Sequence, residues 1–152
     1  MARAYIGLGA NVGSREETLR RALELLAAVN EVEVIAVSEL RETDPVGVLD
    51  QPRFLNGAAT VETTLRPRGL LEVLLRIERE LGRTRDGTRW GPRTVDLDLL
   101  VYGDELVDEP GLRIPHPHLA ERRFALEPLT ELDRELEIPG RGRVSELLAA
   151  LD

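Results

Sequence analysis

The stretch "RTRDGTRWGPRTVDLDLLVYG", residues 83–103, decides how the chain is expected to fold. From Thr94 onward it is a run of β-branched and apolar residues that ends at a glycine, a pattern that predicts a β-strand. Two aspartates interrupt this strand. Because residues two apart in a strand share a face and lie roughly 6.5–7 Å apart, Asp96 and Asp98 are expected to point the same way. The opposite face is expected to hold three apolar residues, Val95, Leu97 and Leu99.

Three further strands and two helices are predicted before this strand. The strands cover residues 2–9, 31–42 and 54–64. The first helix begins after a capping box formed by Ser14 and Glu17, and the second covers residues 66–81, with Gly82 suited to its C-terminal cap. Short helical pieces are predicted near the end of the chain, at 118–126 and 144–151.

This order, β-α-β-β-α-β with a short C-terminal helical tail, predicts an α+β, ferredoxin-like fold. In such a fold two helices cover one face of an antiparallel sheet. The glycines of "GLGANVG", residues 7–13, suggest a dinucleotide-binding fold as a competitor. The last glycine falls one place late for that motif, and a chain without lysine cannot carry a Walker phosphate loop. Both nucleotide folds are therefore set aside.

The composition excludes several classes of protein. With no cysteine, the chain cannot form disulfides or thiolate metal sites, and its two histidines, separated by one proline, are expected to be loop residues rather than a metal pair. A formal net charge of −8 argues against a nucleic-acid or membrane-surface binder. The start does not resemble a leader, and no apolar run is long enough to span a membrane, so we expect a cytoplasmic protein.

The basic residues are all arginine, and they crowd around the start of the fourth strand. Six lie in one short span: Arg76, Arg79, Arg83, Arg85, Arg89 and Arg93. Any one of them is compatible with an ordinary surface ion pair. A local cationic cluster on an acidic protein also suits a small polyanion, phosphates above all, bound by forked guanidinium groups.

The two aspartates allow two interpretations. A strand whose outer face is solvated would alternate in the same way. However, Leu100 continues the aspartate face as an apolar residue, and two neighbouring like charges are unfavourable unless cations are present. Oxygen ligands without cysteine favour Mg²⁺ or Mn²⁺. Magnesium held by one or two carboxylates is a common way for proteins to bind a nucleoside triphosphate.

Three of the five aromatic residues lie beside loops, prolines and charged residues. They are Phe54, Trp90 and Phe124. Each is compatible with an ordinary position in the core. Together they also suit stacking against a flat heterocycle, and Asn56 offers both a donor and an acceptor for the edge of such a ring.

The run from Arg89 to Leu100, "RWGPRTVDLDLL", resembles the signature of the 6-hydroxymethyl-7,8-dihydropterin pyrophosphokinase family of folate biosynthesis. Four other segments resemble the same family: "AYIGLGANVG", "ETDPVG" with "DQPRFLNGA", "LGRTR", and "IPHPHLAERRFALEPL". A chain of 152 residues is long enough for one hydrophobic core and too short for two, so we expect a single domain over residues 1–152, which the resemblance implies to be catalytic. The resemblance also implies transfer of pyrophosphate from MgATP to the hydroxymethyl group of the pterin, with release of AMP. We expect a monomer that binds these two substrates, with no nucleic-acid or membrane partner.

The resemblance also implies roles for individual residues. Asp96 and Asp98 would hold two Mg²⁺ ions and would form the catalytic set together with Arg83 and Arg93. ATP would contact Arg85, Trp90, Leu99, His116 and Arg122. Phe54 and Phe124 would sandwich the pterin, and its edge would be bonded by Thr43, Val46 and Asn56. Three mobile loops would close over ATP, at residues 10–14, 44–52 and 83–92.

Two positions depart from the family pattern. Asp86 stands where relatives often carry lysine, and Phe54 replaces a common tyrosine. The alternative from another class is a ferredoxin-like ligand- or RNA-binding module without catalysis, which would need aromatic residues on central strands and a basic surface. A nucleotidyl or glycosyl transferase that uses two aspartates is a second enzyme alternative, and AMP as the released product would distinguish the pyrophosphokinase.

Overall fold

The computed structural model describes residues 1–11, 14–43, 54–82 and 95–151. The strands of its main sheet are β1 (Ala2–Ala10), β2 (Val32–Val37), β3 (Arg41–Thr43), β4 (Phe54–Thr63) and β5 (Asp96–Tyr102). The strand order is β2-β4-β1-β5, and β3 pairs with β4 as well. Within the described ranges, each pair of neighbouring strands in this sheet is antiparallel.

Two helices connect strands that are not neighbours in the sheet. Helix α1 (Arg15–Ala27) leads from β1 to β2, and α2 (Pro67–Gly82) leads from β4 to β5. Each connection passes over one intervening strand. Both helices pack on the same face, since their buried residues Leu19 and Leu74 share one apolar core with Ile6 of β1. The predicted ferredoxin-like order of elements is therefore confirmed.

The single strand predicted over residues 31–42 is wrong in one respect. Its register against β4 shifts between Val34 and Ala36, and the chain then leaves the ladder before β3 begins at Arg41. At the break, the backbone N–H of Ser38 donates to the carbonyl of Ala58 at 2.9 Å, and the Ser38 hydroxyl accepts the Ala58 N–H at 2.9 Å. The bulge between Val34 and Ala36 re-aims the side chains that follow it.

The predicted capping box is also not formed. Ser14 precedes α1, but its side chain makes no capping hydrogen bond to any residue that the structure describes. Its backbone carbonyl accepts the N–H of Thr18 at 2.9 Å, as the first turn of a helix requires. Glu17 pairs instead with Arg20, one turn along the exposed side of the helix.

The second face of the sheet is partly covered, which goes beyond the two-helix layer that was predicted. Helix α3 (Arg123–Leu132) packs on β4, and α4 (Val144–Ala149) packs against α3. Leu126 and Leu129 of α3 are completely buried in this second core. Burial of one leucine stabilises a fold by about 1.5–3 kcal/mol, so these contacts attach α3 firmly to the sheet.

Two small hairpins, which the sequence pattern did not predict, flank α3. They are β6 (Val107–Glu109) with β7 (Leu112–Ile114), and β8 (Glu137–Ile138) with β9 (Gly142–Arg143). Gly111 and Gly140 turn them at positive φ angles of 76° and 74°, where glycine is favoured. None of the helices in the described part of the chain has the length and hydropathy to cross a bilayer.

Candidate active site

An open cavity of about 720 Å³ lies on the sheet face opposite α1 and α2. Its floor is formed by the ends of β1, β4 and β5, where the second core stops. One wall is formed by β3 and β4, and the other by the segment that leads into α3. The cavity is lined by Gly7, Leu8, Gly9, Thr43, Phe54, Asn56, Gly57, Asp96, Asp98, Leu100, His116, His118, Leu119, Glu121, Arg122, Arg123, Phe124, Ala125 and Glu127.

Asp96 and Asp98 share the cavity face of β5, as the alternation predicted. In the register with β1, Asp96 lies opposite Gly9 and Asp98 lies opposite Gly7. Leu97 points into the core under α1 and α2. Leu100 continues this face by the same alternation, and a bulge in the register between Leu99 and Val101 turns Val101 to the same side, so that both Leu100 and Val101 belong to the second core.

The floor beside the aspartates is free of side chains because β1 contributes glycines there. A Cβ atom on Gly9 would lie 3.1 Å from Nδ2 of Asn56, and one on Gly7 would lie 3.2 Å from a methyl carbon of Leu100. Both distances are shorter than ordinary van der Waals contact. Glycine at these two positions therefore leaves room for a bound molecule between the aspartates and Asn56.

Asn56 and Thr43 form a polar edge on the β4 side. Asn56 is only 8% exposed, and the Thr43 hydroxyl donates a hydrogen bond to its Oδ1. This bond orients the amide group, which can serve as donor and acceptor for the edge of a ring. Phe54 lies opposite Thr43 in the β3–β4 register and continues the same side of the wall.

His116 is held on the opposite wall in one protonation state. Its backbone N–H donates to the carbonyl of Leu100 at 2.9 Å, and its Nδ1 accepts the backbone N–H of His118 at 3.2 Å. Burial lowers the pKa of His116 to about 4, and the charge of Arg122 acts in the same direction. The ring is therefore neutral near pH 7, with its proton on Nε2, where it can donate a hydrogen bond.

Arg122 and Phe124 form the part of this wall that begins α3. The guanidinium carbon of Arg122 lies 5.6 Å from the centre of the Phe124 ring, a cation–π distance. The Arg122 carbonyl accepts the N–H groups of Ala125 and Leu126, both at 3.0 Å. The first turn of α3 thus presents a cation and an aromatic face to the cavity together.

Glu78 of α2 supports β5 from outside the cavity. Its Oε2 accepts the backbone N–H of Leu97 at 2.6 Å, between the two aspartates. This bond ties α2 to an edge strand that pairs with β1 on its other side. Nothing in the sequence pattern singled out Glu78 from the other glutamates of that helix.

The family model of 7,8-dihydro-6-hydroxymethylpterin-pyrophosphokinase (HPPK) matches residues 5–134. The chain belongs to this family. The match includes every described residue of the cavity, and the predicted family and class of enzyme, a pyrophosphokinase, are confirmed.

Relatives named 2-amino-4-hydroxy-6-hydroxymethyldihydropteridine pyrophosphokinase cover almost the whole chain. The Pseudomonas aeruginosa protein is 46% identical over 148 residues, which are 97% of this chain and 91% of the relative. The Bacillus subtilis protein is 50% identical over 134 residues, which are 88% of this chain and 80% of the relative. Wild-type HPPK-DHPS of Plasmodium falciparum superposes with a TM-score of 0.76 and 15% identity. It covers 98% of this chain, which spans 44% of the solved protein, and it supports the fold.

Most of the site residues implied by the family resemblance meet in one place. Eight line the cavity: Thr43, Phe54, Asn56, Asp96, Asp98, His116, Arg122 and Phe124. Leu99 does not, because its side chain is 5% exposed and lies in the core under α1 and α2. The ATP contact implied for Leu99 is therefore not supported for its side chain. Five other predicted residues lie outside the described ranges: Val46, Arg83, Arg85, Trp90 and Arg93.

Of the three loops that the HPPK resemblance implies to be mobile, two lie wholly and one partly outside the described ranges. Several lining residues were not predicted from the sequence, namely Gly7, Gly9, Glu121, Arg123 and Glu127. One signal was available for Glu127. It follows Phe124 by three residues, so the two share a side of any helix that continues past Leu126, where the predicted helical piece ended.

A magnesium ion fits the donor set of this cavity. No group of three or more histidine, aspartate or glutamate side chains with metal-binding spacing occurs in the ranges that the structure describes. Two carboxylates on one strand face are sufficient for Mg²⁺, which usually retains several waters and binds substrate phosphates. The lack of a larger ligand cluster among the described residues is therefore compatible with an ion that arrives with a nucleotide.

Proposed function

We propose that this chain transfers the pyrophosphoryl group of ATP to the hydroxymethyl oxygen of 6-hydroxymethyl-7,8-dihydropterin, with release of AMP, in folate biosynthesis. One observation carries the proposal: a single cavity joins the carboxylates of Asp96 and Asp98 to a polar edge and two aromatic rings. The carboxylates suit a metal-bound triphosphate, and the rings suit a flat heterocycle. Membership in the HPPK family supports the same activity.

On the nucleotide side, we assign two Mg²⁺ ions to Asp96 and Asp98. When bound, these ions would neutralise phosphate charge and lower the pKa of the substrate hydroxyl. His116 and Arg122 lie across the cavity, where a neutral Nε2–H and a guanidinium can donate to phosphate oxygens. Four further roles stay predictions from the family resemblance. They are catalysis by Arg83 and Arg93, and contact with ATP by Arg85 and Trp90.

On the pterin side, we assign the ring to the space between Phe54 and Phe124. Asn56 would bond the ring edge through its side-chain amide, and Thr43 would orient that amide. A contact between Val46 and the same edge of the ring stays a prediction from the family resemblance. With the ring held in this way, its hydroxymethyl group is directed along the glycine floor towards Asp96, so that positioning contributes much of the acceleration.

In the reaction, the hydroxymethyl oxygen attacks the β-phosphorus of ATP. The bond between the β-phosphorus and the oxygen that bridges it to the α-phosphorus breaks, and AMP leaves with that oxygen. The proton of the hydroxyl group passes to water. The chain orients the two substrates and supplies hydrogen-bond donors to the phosphate oxygens, as proteins usually do in phosphoryl transfer.

We also propose that residues 1–152 act as one catalytic domain, as a monomer in the cytoplasm. Two apolar cores on either side of one sheet support a single folding unit. Light scattering of the purified protein measures its mass in solution, and the mass of a dimer would contradict this assignment. The binding-module alternative is not favoured, since β5 carries carboxylates on its cavity face in an acidic chain.

The test is incubation with MgATP and the dihydropterin, followed by separation of the products. We expect equal amounts of AMP and pterin pyrophosphate. Asp96→Asn should lower the rate by about 10²–10³-fold, the usual effect of removing one electrostatic contact to a transition state. Asp108→Asn is the matched control, because Asp108 lies on β6 and pairs with Arg113 at 3.3 Å. Release of ADP, or an undiminished rate in Asp96→Asn, would contradict the proposal.

A further inference from the structure

The two walls of the cavity come from segments that are far apart in the chain. Thr43 and Asn56 belong to β3 and β4, whereas Phe124 lies in the first turn of α3. The gap between the walls depends on how α3 sits on the sheet. Buried Leu126 and Leu129 attach the helix, but apolar contacts are non-directional and do not by themselves fix its position along β4.

Glu131, two turns after Phe124 on α3, supplies a directional contact. Its Oε2 accepts the backbone N–H of Glu39 at 2.9 Å, and its Oε1 accepts the guanidinium of Arg41 at 2.7 Å. Arg41 lies opposite Asn56 in the β3–β4 register, so both side chains are on the α3 side of the sheet. One carboxylate therefore joins α3 to the segment that leads into Thr43.

The surroundings make this contact stronger than an isolated surface ion pair. The side chains of Arg41 and Glu131 are 38% and 34% exposed, so the pair is partly shielded from water. The N–H of Glu39 lowers the pKa of Glu131, and Arg41 acts in the same direction. The Nη1 atom of Arg41 is buried without a hydrogen-bond partner among the residues that the structure describes, so its guanidinium relies on the remaining bonds.

We infer that the contact of Glu131 with Glu39 and Arg41, termed here the α3 clamp, positions Phe124 against Asn56 and thereby sets the affinity for the dihydropterin. Glu131 is a positioning residue, since it does not line the cavity. The inference rests on the proposed function, which takes this end of the cavity as the pterin end. The aspartates at the other end are held by the bond between Glu78 and Leu97. The clamp can therefore affect ATP binding only through Arg122, which lies beside Phe124 at the start of α3, and its effect on ATP should be smaller than its effect on the pterin.

The experiment measures KM for each substrate, together with kcat, in Glu131→Ala, Glu131→Gln and Arg41→Met. We expect Glu131→Ala to raise KM for the dihydropterin by about five- to tenfold, given the usual strength of partly exposed charged hydrogen bonds. KM for ATP should rise by a smaller factor, because only Arg122 links ATP to α3. Glu131→Gln should show a smaller rise, because its amide oxygen can still accept the Glu39 N–H. The effects of Glu131→Ala and Arg41→Met should not add in the double variant, since both remove the same bond.

Glu62→Gln is the matched control. Glu62 pairs with Arg3 at 2.7 Å and is 31% exposed, but it lies at the far end of the sheet from the cavity. It should leave both KM values unchanged. A rise of both KM values by the same factor in Glu131→Ala would overturn the clamp, because that result indicates a general loss of structure.

A second reference variant separates the clamp from the site assignment. Asn56→Ala removes the polar edge itself and should raise KM for the dihydropterin. If Asn56→Ala raises it and Glu131→Ala does not, the clamp is overturned and the pterin site stands. If neither variant changes it, the pterin site is in the wrong place, and the clamp is overturned with it.

Discussion

Gly9 has no Cβ atom, and this leaves space in the cavity for a bound molecule. The strand β1 runs between β4 and β5, so any side chain on its cavity face would stand between the aspartates and Asn56. The same glycines, viewed as sequence, suggested a dinucleotide loop. Their function is instead to keep the floor of the sheet bare, which no motif rule captures, since the requirement arises only from the register of three strands.

Gly9→Ala should therefore weaken the binding of the dihydropterin. The added methyl carbon would lie 3.1 Å from Nδ2 of Asn56 and would displace the amide from the ring edge. We expect KM for the dihydropterin to rise by about tenfold, as for the loss of one good hydrogen bond. Gly69→Ala in α2 is the control, because its nearest neighbour would be 3.6 Å away. Equal kinetics in both variants would contradict this role of Gly9.

His116 gives a prediction about acid stability. Its pKa is about 4 in the folded chain and near 6.5 when unfolded, so the unfolded state binds more protons between these values. The free energy of unfolding therefore falls as the pH drops from about 6.5 towards 4. His116→Gln should remove this contribution. Urea unfolding from pH 4 to 7.5 should show the variant losing less stability on acidification than the parent, and parallel curves would contradict the assignment.

The elements that were predicted correctly are those in which one periodic pattern runs for many residues. Helix α2 and strand β5 follow their apolar periods closely, and both were located within a few residues. The predicted strand over 31–42 failed after Val37, where the chain leaves β4 before β3 begins at Arg41, and such a break leaves no mark in the composition. The helical piece predicted at 118–126 joined a short 3₁₀ turn at Leu119–Glu121 to the start of α3 and ended six residues before that helix does. Helix α3 continues through Pro128, although proline usually ends a helix.

The same distinction applies to the candidate site. Asp96, Asp98 and the two phenylalanines could be singled out because acidic or aromatic residues are unusual in those segments. Glu78 and Glu131 could not, since surface helices of this acidic chain carry many glutamates. Glu78 accepts the backbone N–H of Leu97, and Glu131 accepts that of Glu39. Such contacts exist only in the folded chain, so the sequence does not reveal them.

The packing of α3 on the sheet can be tested separately from catalysis. Leu129 is completely buried between α3 and the sheet, so Leu129→Ala should lower the free energy of unfolding by about 2–5 kcal/mol. Leu75→Ala on α2 is the control, because Leu75 is 41% exposed and should have a much smaller effect. Urea denaturation measures both. A loss in Leu129→Ala no larger than in the control would show that α3 does not depend on this contact.

The charge of the whole chain bears on how it can bind a triphosphate. With a net charge of −8, the protein repels free ATP at long range, and the cavity lining adds the carboxylates of Asp96, Asp98, Glu121 and Glu127. Local cations must therefore compensate for this repulsion. Arg122 and Arg123 are two such cations at the cavity, and divalent ions carried by the nucleotide would add to them.

Binding of the nucleotide and of magnesium should therefore be strongly coupled, which thermal unfolding can measure. A ligand at a hundred times its Kd adds about 2.7 kcal/mol of stability, which raises Tm by roughly 5–10 °C in a chain of this size. We expect this rise with Mg²⁺ and a non-hydrolysable ATP analogue together, and almost none with either alone. Asp98→Asn should lose most of the joint effect, because one of the two carboxylates that attract the ions is gone. If the analogue with EDTA raised Tm as much as the analogue with magnesium, the carboxylates would not act through a metal, and the arginines alone would have to offset the charge of the phosphates.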